Sequence, residues 1–262
     1  MSYRELKPDT GLQNLIHSYG FLDFQQELKI PLKEKISPLP GYSWLFTQYK
    51  ASPLIIHNGN ELAPLSNFIE LGLHSKQVTI THRGLFKIFV VRFSPGFSPF
   101  EEQRLALHME AEKLNHYFKH SSTSLEDMVG YVNSFFSTHP RLLKEPDAIT
   151  IEALKQIHKN PASPVSTLSK NLFFCARHLR RVFTLNTGMP LKAYQQIVRF
   201  SHCMQTLESQ TSPQILKIAC NCGFSDQTHF SKECKSLTGL TPKQFLSGKY
   251  PLTTGLLWRN NA

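Results

Sequence analysis

The chain has 262 residues, a length typical of two domains that each bury a core of their own. It contains no run of about 18 apolar residues, and its start, MSYRELKPDTGLQ, lacks a basic stretch followed by an apolar one. We therefore expect neither a membrane-spanning helix nor a secretory signal, and we expect the protein in the cytoplasm. Its five cysteines, an odd number at irregular spacing, indicate reduced thiols rather than a disulfide framework.

The formal net charge of +10 is concentrated in one half of the chain. Residues 1–145 carry 15 Lys and Arg against 14 Asp and Glu, a net charge of +1. Residues 146–262 carry 14 against 5, a net charge of +9. This asymmetry predicts that only the second half meets a polyanion, the alternative being a basic surface that serves solubility alone.

Short runs rich in β-branched and aromatic residues, broken by Pro, Gly and Asn, predict an antiparallel sheet from about Gln13 to Val91. They include SWLFTQY, PLIIHNGN, QVTITHRG and LFKIFVVRF. Gly84 lies between the last two runs, which predicts a hairpin there.

Two helices are predicted after the sheet, over residues 101–119 and 124–137. Ser124 is the expected N-cap of the second helix. Its apolar residues follow the i, i+3, i+4, i+7 spacing of an amphipathic helix. That face, from Leu125 to Phe136, either caps the sheet or meets a second subunit. The segment RLLKEPDAI, with Pro146, is the expected link between domains.

The rest of the chain is predicted to be helical. Four prolines are expected in first helical turns, where no N–H donor is needed: Pro164, Pro190, Pro213 and Pro242. Three of them follow a Ser or Thr that is suited to capping, namely Ser163, Ser212 and Thr241.

The stretch IACNCGFSDQTHFSKECKSLTGLTPKQF, Ile218 to Phe245, predicts two short helices around a turn. Gly223 permits a left-handed turn, Ser225 is the expected N-cap of the second helix, and that helix buries an apolar face while exposing polar side chains. This layout is a helix-turn-helix. A zinc site built on Cys220, Cys222, His229 and Cys234 is the disfavoured alternative, since structural zinc sites prefer two to four residues between paired cysteines.

The same layout occurs earlier, with one helix from Pro164 to Leu172 and a second from Cys175 to Phe183. Leu179, Val182 and Phe183 are expected to face inward. A connecting helix from Pro190 to Glu208 would extend for nearly 30 Å, close to the ~34 Å of one turn of B-DNA. Both second helices are therefore expected to reach successive major grooves.

The segment from about Val165 to Phe245 resembles the AraC/XylS family of bacterial transcription regulators. The resemblance rests on G-F-S-D-Q-x-x-F-S-K and T-G-x-T-P-x-x-F in register, and on LSKNLFFCARHLRRVFTLNTGMPLKAYQQIVRF. Three positions depart from the family: Phe173 replaces a small residue between the helices, Cys175 replaces the usual Ser cap, and Cys234 replaces a larger apolar residue, which implies a compensating side chain or a small cavity. We expect a differently shaped first turn and a less well capped helix after it.

The resemblance implies an α+β fold class, in which an antiparallel β sensor-like domain with accessory helices, residues 1–145, precedes an all-α DNA-binding domain, residues 146–262. It implies that bases are contacted by Arg177, Arg180 and Arg181 in the first unit and by Gln227, Thr228, Ser231 and Lys232 in the second. The hydrogen-bonding groups of these side chains are consistent with such contacts, because Arg suits guanine and Gln suits adenine. The lysines expected at phosphates are Lys192, Lys217, Lys235 and Lys243.

The first domain is then expected to bind a small effector or to mediate dimerisation. Aromatic residues on its predicted strands either line a pocket or, as is more usual, form core: Trp44, Phe46, Tyr49, Phe68, Phe89 and Phe93. The expected partners are double-stranded DNA, a small-molecule effector, RNA polymerase and a second copy of the chain, with no cofactor, no catalytic residue and no membrane.

Two alternatives from other classes stay open. One is a metal-binding, cupin-like enzyme domain fused to a DNA-binding module, with His57, His74 and His82 as ligands, although these histidines lack a carboxylate companion. The other is a dimeric DNA-binding protein without an effector.

Overall fold

The computed structural model describes residues 2–36, 42–49, 55–58, 61–64, 68–71, 78–94, 97, 101–120, 124–139, 147–210 and 214–247. The chain forms two compact units. The first comprises Met1–Lys33, Gly41–Gly72 and Ile80–Glu145, and the second comprises Pro146–Ala262 with the short segments Glu34–Pro40 and Leu73–Thr79. Each unit has an apolar core of its own.

The first unit begins with a seven-stranded sheet and a short 3-10 helix, Thr10–Leu12. The strands are β1 (Ser2–Leu6), β2 (Ile16–Ile36), β3 (Ser43–Tyr49), β4 (Ile55–Asn58), β5 (Glu61–Pro64), β6 (Phe68–Leu71) and β7 (Val78–Phe93). Their order is β1-β2-β7-β3-β6, with β4 paired to both β5 and β7. Pairing of β3 with β7 is antiparallel, from Ser43 opposite Arg92 to Tyr49 opposite Phe86, which confirms the predicted antiparallel sheet.

The predicted hairpin at Gly84 is wrong, because β7 runs without interruption from Val78 to Phe93. This strand pairs with three neighbours, β2, β3 and β4, so its full length is used by the sheet. Glycine also adopts extended backbone, and the β-branched and aromatic residues on both sides of Gly84 favour it. A single glycine inside such a run therefore did not create a turn.

Helices α1 (Glu101–His120) and α2 (Leu125–Thr138) follow the sheet, close to their predicted positions. Ser124 is the N-cap of α2, as predicted. Its hydroxyl accepts the backbone N–H of Asp127 at 3.1 Å, and the Asp127 carboxylate accepts the Ser124 N–H at 3.1 Å. This reciprocal pair satisfies two donors that have no partner inside the helix.

The apolar face of α2 packs against the sheet rather than remaining free. The Trp44 ring stacks on Phe136 at 5.7 Å between centroids and meets Phe93 edge-on at 5.1 Å. Phe135 and Phe136 are both buried in the core of the first unit. This face is therefore not available as a dimer surface. The predicted strand aromatics form core, namely Trp44, Phe46, Phe68, Phe89 and Phe93, while the side chain of Tyr49 lies outside the described residues.

The second unit is helical, as predicted. Its helices are α3 (Ala148–Lys159), α4 (Val165–Asn171), α5 (Ala176–Thr187), α6 (Leu191–Glu208), α7 (Ile215–Asn221), α8 (Gln227–Thr238) and α9 (Pro242–Leu246). One continuous core joins them, and side chains from most of the circumference of α6 lie in it.

The prolines take two different positions. Pro242 is the first residue of α9, behind an N-cap threonine, Thr241, as predicted. Pro164 and Pro190 are themselves N-cap residues, so Ser163 does not cap α4 as predicted. The fixed φ of proline and its extended ψ suit an N-cap as well as a first helical residue. Pro213 lies outside the described residues.

Candidate nucleic-acid interface

The first helix-turn-helix unit consists of α4, a short turn and α5. Phe173 occupies the turn with a positive φ of 59° and a side chain that is 94% exposed. Cys175 is the N-cap of α5 and makes no side-chain capping bond. The helix start without a side-chain cap is the expected result. The turn itself is not differently shaped: Phe173 and Phe174 donate to the carbonyls of Lys170 and Ser169, just as Gly223 and Phe224 donate to those of Cys220 and Ala219 in the second helix-turn-helix unit.

Helix α5 is amphipathic. Leu179, Val182 and Phe183 are buried, and the expected base-contacting arginines are exposed. Arg177, Arg180 and Arg181 are spaced i, i+3, i+4, so they form one basic face on the helix.

The second helix-turn-helix unit consists of α7, a turn at Gly223 and α8. Gly223 has a φ of +83°, in the left-handed region that favours glycine. A Cβ at this position would lie 2.5 Å from the Cβ of Ala162, in the segment between α3 and α4. The turn therefore requires glycine for two reasons, its conformation and the close approach of Ala162.

The N-cap of α8 is Asp226 and not Ser225 as predicted. The Asp226 carboxylate accepts the backbone N–H of His229 at 2.7 Å, and the Ser225 hydroxyl donates to the same carboxylate at 3.0 Å. These hydrogen bonds lower the pKa of Asp226 below its ordinary value, the bond from His229 contributing most. A carboxylate competes well for this position because it satisfies free N–H groups at the helix start.

Helix α8 separates apolar from polar residues in the same way as α5. Phe230, Cys234 and Leu237 are buried. Burial raises the pKa of the Cys234 thiol to about 11, so it is a neutral, apolar core group. The expected base-contacting residues lie away from the core: Gln227, Thr228 and Lys232 are exposed and Ser231 is half-buried.

The four lysines expected at phosphates are distributed over four helices. Lys192 lies in the first turn of α6, Lys217 on α7, Lys235 on α8 and Lys243 on α9, and all are exposed. The structure thus brings all the predicted contact residues into one unit with a single core.

Arg199, on the connecting helix α6, holds the second helix-turn-helix unit to that helix. The sequence had not predicted this role. Its guanidinium donates to both carboxylate oxygens of Glu233 on α8, at 3.0 and 2.7 Å. It also lies over the Phe224 ring at 4.3 Å and donates to the carbonyl of Gly223 at 3.4 Å. The side chains of Arg199 and Glu233 are only 16% and 10% exposed. Sequence alone shows Arg199 as one more basic residue.

The candidate metal ligands are not brought together in the described part of the chain. There, no three His, Cys, Asp or Glu side chains form a group able to hold a metal ion. Cys220 is exposed while Cys222 and Cys234 are buried. His57 lies on β4, His82 lies on β7, and His74 is outside the described residues. None of the helices within the described ranges is long and apolar enough to cross a membrane.

Two helix-turn-helix units joined by one helix define a DNA-binding domain. Residues 168–248 match the model of a helix-turn-helix domain family. The transcriptional regulator ArgR of Pseudomonas aeruginosa is 28% identical over 114 residues, which are 43% of this chain and 32% of ArgR. The transcriptional activator RhaR of Salmonella arizonae is 40% identical over 70 residues, 26% of this chain and 24% of RhaR. These matches bear out the resemblance of the C-terminal domain to the AraC/XylS family.

The chain spans a third or less of the length of these curated relatives. A broader likeness comes from the crystal structure of ToxT from Vibrio cholerae, with a TM-score of 0.50 at 13% identity. The likeness covers 94% of this chain and 98% of ToxT. It shows a shared fold.

Substitution of Gly223 by alanine should destabilise the protein through both the left-handed backbone and the contact with Ala162. The backbone alone costs about 1–2 kcal/mol, and the contact adds to it. The double variant Gly223→Ala/Ala162→Gly should regain the second part only. Urea denaturation of the full chain would measure both effects. Equal stability of the single and double variants would show that the Ala162 contact is unimportant.

Substitution of Arg199 by methionine should destabilise the protein by about 3 kcal/mol, because it leaves the Glu233 carboxylate buried without a cation. Replacing both partners, Arg199→Met/Glu233→Met, should restore most of that loss. The matched control is Lys113→Met, which removes an exposed ion pair with Glu110 and should change stability by less than about 0.5 kcal/mol. Equal losses for Arg199→Met and Lys113→Met would contradict a structural role for the buried pair.

Proposed function

We propose that the protein is a sequence-specific, DNA-binding transcription regulator that places α5 and α8 in successive major grooves. One observation carries the proposal: each helix buries an apolar face in the same core and exposes a polar or basic face. The 18 residues of α6, which connect the two units, extend for about 27 Å. This length is compatible with one turn of B-DNA, about 34 Å.

The proposed contacts follow from side-chain chemistry. Arg177, Arg180 and Arg181 suit the O6 and N7 acceptors of guanine, and Gln227 suits the N6 and N7 groups of adenine. Thr228, Ser231 and Lys232 are the other proposed base-contacting residues on α8. Lysines at 192, 217, 235 and 243 would position the protein on phosphates without specifying sequence.

The role of the whole protein is supported by relatives that share only the C-terminal domain. ArgR is described as a transcriptional regulator and RhaR as a transcriptional activator. By extension we propose a cytoplasmic regulator, rather than an enzyme, that acts on RNA polymerase at a promoter. The identity of the regulated genes depends on the bases that α5 and α8 select.

Alanine substitutions test the two reading faces separately. A duplex that the full chain selects from a random-sequence pool should lose about 1–3 kcal/mol of binding free energy with either Arg181→Ala or Gln227→Ala. Binding to random DNA should change little. Lys155→Ala, at an exposed position of α3, is the control and should leave the preference intact. The proposal fails if wild type selects no sequence, or if both substitutions weaken selected and random DNA equally.

We further propose that the first unit controls DNA binding by taking up a small effector. It has its own core, and a cleft of about 490 Å³ lies beside α2 and the end of β1. The cleft is lined by Leu6, Asp9, Glu126, Val129, Gly130, Asn133, Ser134 and Ser137. Because the apolar face of α2 is buried, a homodimer would need another surface.

Sedimentation and thermal melting distinguish effector control from control by dimerisation. We expect a monomer at tens of micromolar, and we expect one class of small molecule to raise the melting temperature. At a ligand concentration 100 times its Kd, the free energy of unfolding should increase by about 2.7 kcal/mol. Gly130→Leu, which places a side chain in the cleft where a Cβ meets nothing within 4 Å, should remove that rise. A concentration-dependent dimer with no ligand response would favour the effector-free alternative.

A further inference from the structure

A polar cleft lies in the second unit, beside α6 and between residues of the two helix-turn-helix units. Its volume is about 590 Å³. The residues around it come from the segment before α4, from α4 itself, from one side of α6 and from α5 and α8. The cleft is therefore bounded by both helices that we propose to read bases.

The side of α6 that lines this cleft is a polar stripe on a helix that is otherwise mostly buried. Lys192, Gln195, Gln196 and Arg199 are spaced i, i+3, i+4, i+7, which places them on one face. Gln195 donates to the carbonyl of Ser163 at 2.8 Å, and Arg199 is paired with Glu233, so both are used by the fold. Lys192 and Gln196 are exposed and available to a ligand.

Each neighbouring helix contributes one basic side chain to the cleft. Arg180 comes from α5 and His229 from the first turn of α8. The His229 ring lies 3.2 Å from the Ser225 hydroxyl through Nδ1 and 3.6 Å from the Glu233 carboxylate through Nε2. Of the residues described as lining the cleft, none is Asp or Glu. Because Glu233 neutralises Arg199, the remaining fixed charge comes from Arg180 and Lys192 and is positive.

We propose that this cleft binds the phosphodiester backbone of the DNA between the two sequences read by α5 and α8. The inference rests on the proposed function. When two helices enter successive major grooves on one face of a duplex, the minor groove between them faces the protein, bordered by its two phosphate strands. These strands carry one negative charge per ~1.7 Å of helix axis. Lysine, arginine, glutamine and hydroxyl groups are the side chains that bind phosphate oxygens.

This assignment has a consequence for specificity. Bases in the intervening segment are not read directly, but the width of the minor groove sets the distance between its two backbones. Sequences that favour the width accommodated by the cleft bind better than others, although no side chain touches their bases. Gln196 and His229 thereby become positioning residues for DNA, in addition to the exposed lysines already considered.

The test uses the full chain and a duplex of about 30 base pairs that the chain itself selects from a random pool, so that both sites and the segment between them are present. A second duplex of the same sequence carries uncharged methylphosphonate linkages in the intervening backbone only. Wild type should bind the second duplex several-fold more weakly. Equal affinity for the two duplexes would overturn the proposal.

Two opposite substitutions at one position sharpen the test. Gln196→Arg should tighten binding to the all-phosphate duplex several-fold and steepen its salt dependence by about one ion, and Gln196→Glu should do the reverse. Both effects should disappear on the methylphosphonate duplex. Lys155→Gln on α3, which changes the charge by the same amount as Gln196→Glu, is the matched control and should not discriminate between the duplexes.

The outcomes separate this inference from the proposed function. If wild type selects a sequence and depends on Arg181 and Gln227, yet ignores the neutral linkages, only the backbone cleft is wrong. If wild type selects no sequence at all, the major-groove proposal fails and the cleft inference fails with it. Unchanged thermal melting of the Gln196 variants would exclude misfolding as the cause of any loss.

Discussion

Burial of α6 by both helix-turn-helix units is the constraint on which the DNA-binding domain depends. Leucine, tyrosine, phenylalanine and methionine side chains around this helix belong to one core shared with α3, α5, α7 and α8. Because interiors are packed as densely as organic crystals, neither reading helix can shift without opening cavities in that core. The separation of α5 and α8 is thus set by packing. An isolated helix-turn-helix has no second unit packed on a shared helix to fix such a separation.

The buried pair of Arg199 and Glu233 adds direction to this packing. Apolar contacts resist separation but are not directional, whereas Nη2 of Arg199 donates to both carboxylate oxygens of Glu233, and such charge-assisted hydrogen bonds depend on orientation. The same Arg199 bonds the carbonyl at Gly223, where Ala162 leaves no room for a side chain. These contacts meet at the turn of the second unit, and they align α8 relative to the polar stripe of α6. The polar cleft lies beside this stripe.

Local sequence patterns were sufficient for most of the fold and for the exposed faces of α5 and α8, because helical periodicity and burial are governed by neighbours three and four residues apart. They failed where several elements compete. Gly84 lies in a strand because β7 serves three partners, and Asp226 caps α8 because a carboxylate outcompetes the adjacent Ser225. The pairing of Arg199 with Glu233, 34 residues apart, depends on tertiary packing that no local pattern contains.

The turns of the two helix-turn-helix units have the same backbone conformation but residues of very different size. Both backbones enter the left-handed region, at Phe173 in the first unit and at Gly223 in the second. A bulky residue is tolerated at the first because its side chain is almost fully exposed, so that only backbone strain of about 1–2 kcal/mol opposes it. Glycine is required at the second because Ala162 occupies the space. Since α5 also lacks a side-chain cap while α8 has Asp226, the start of α8 is fixed by a directional contact that the start of α5 lacks.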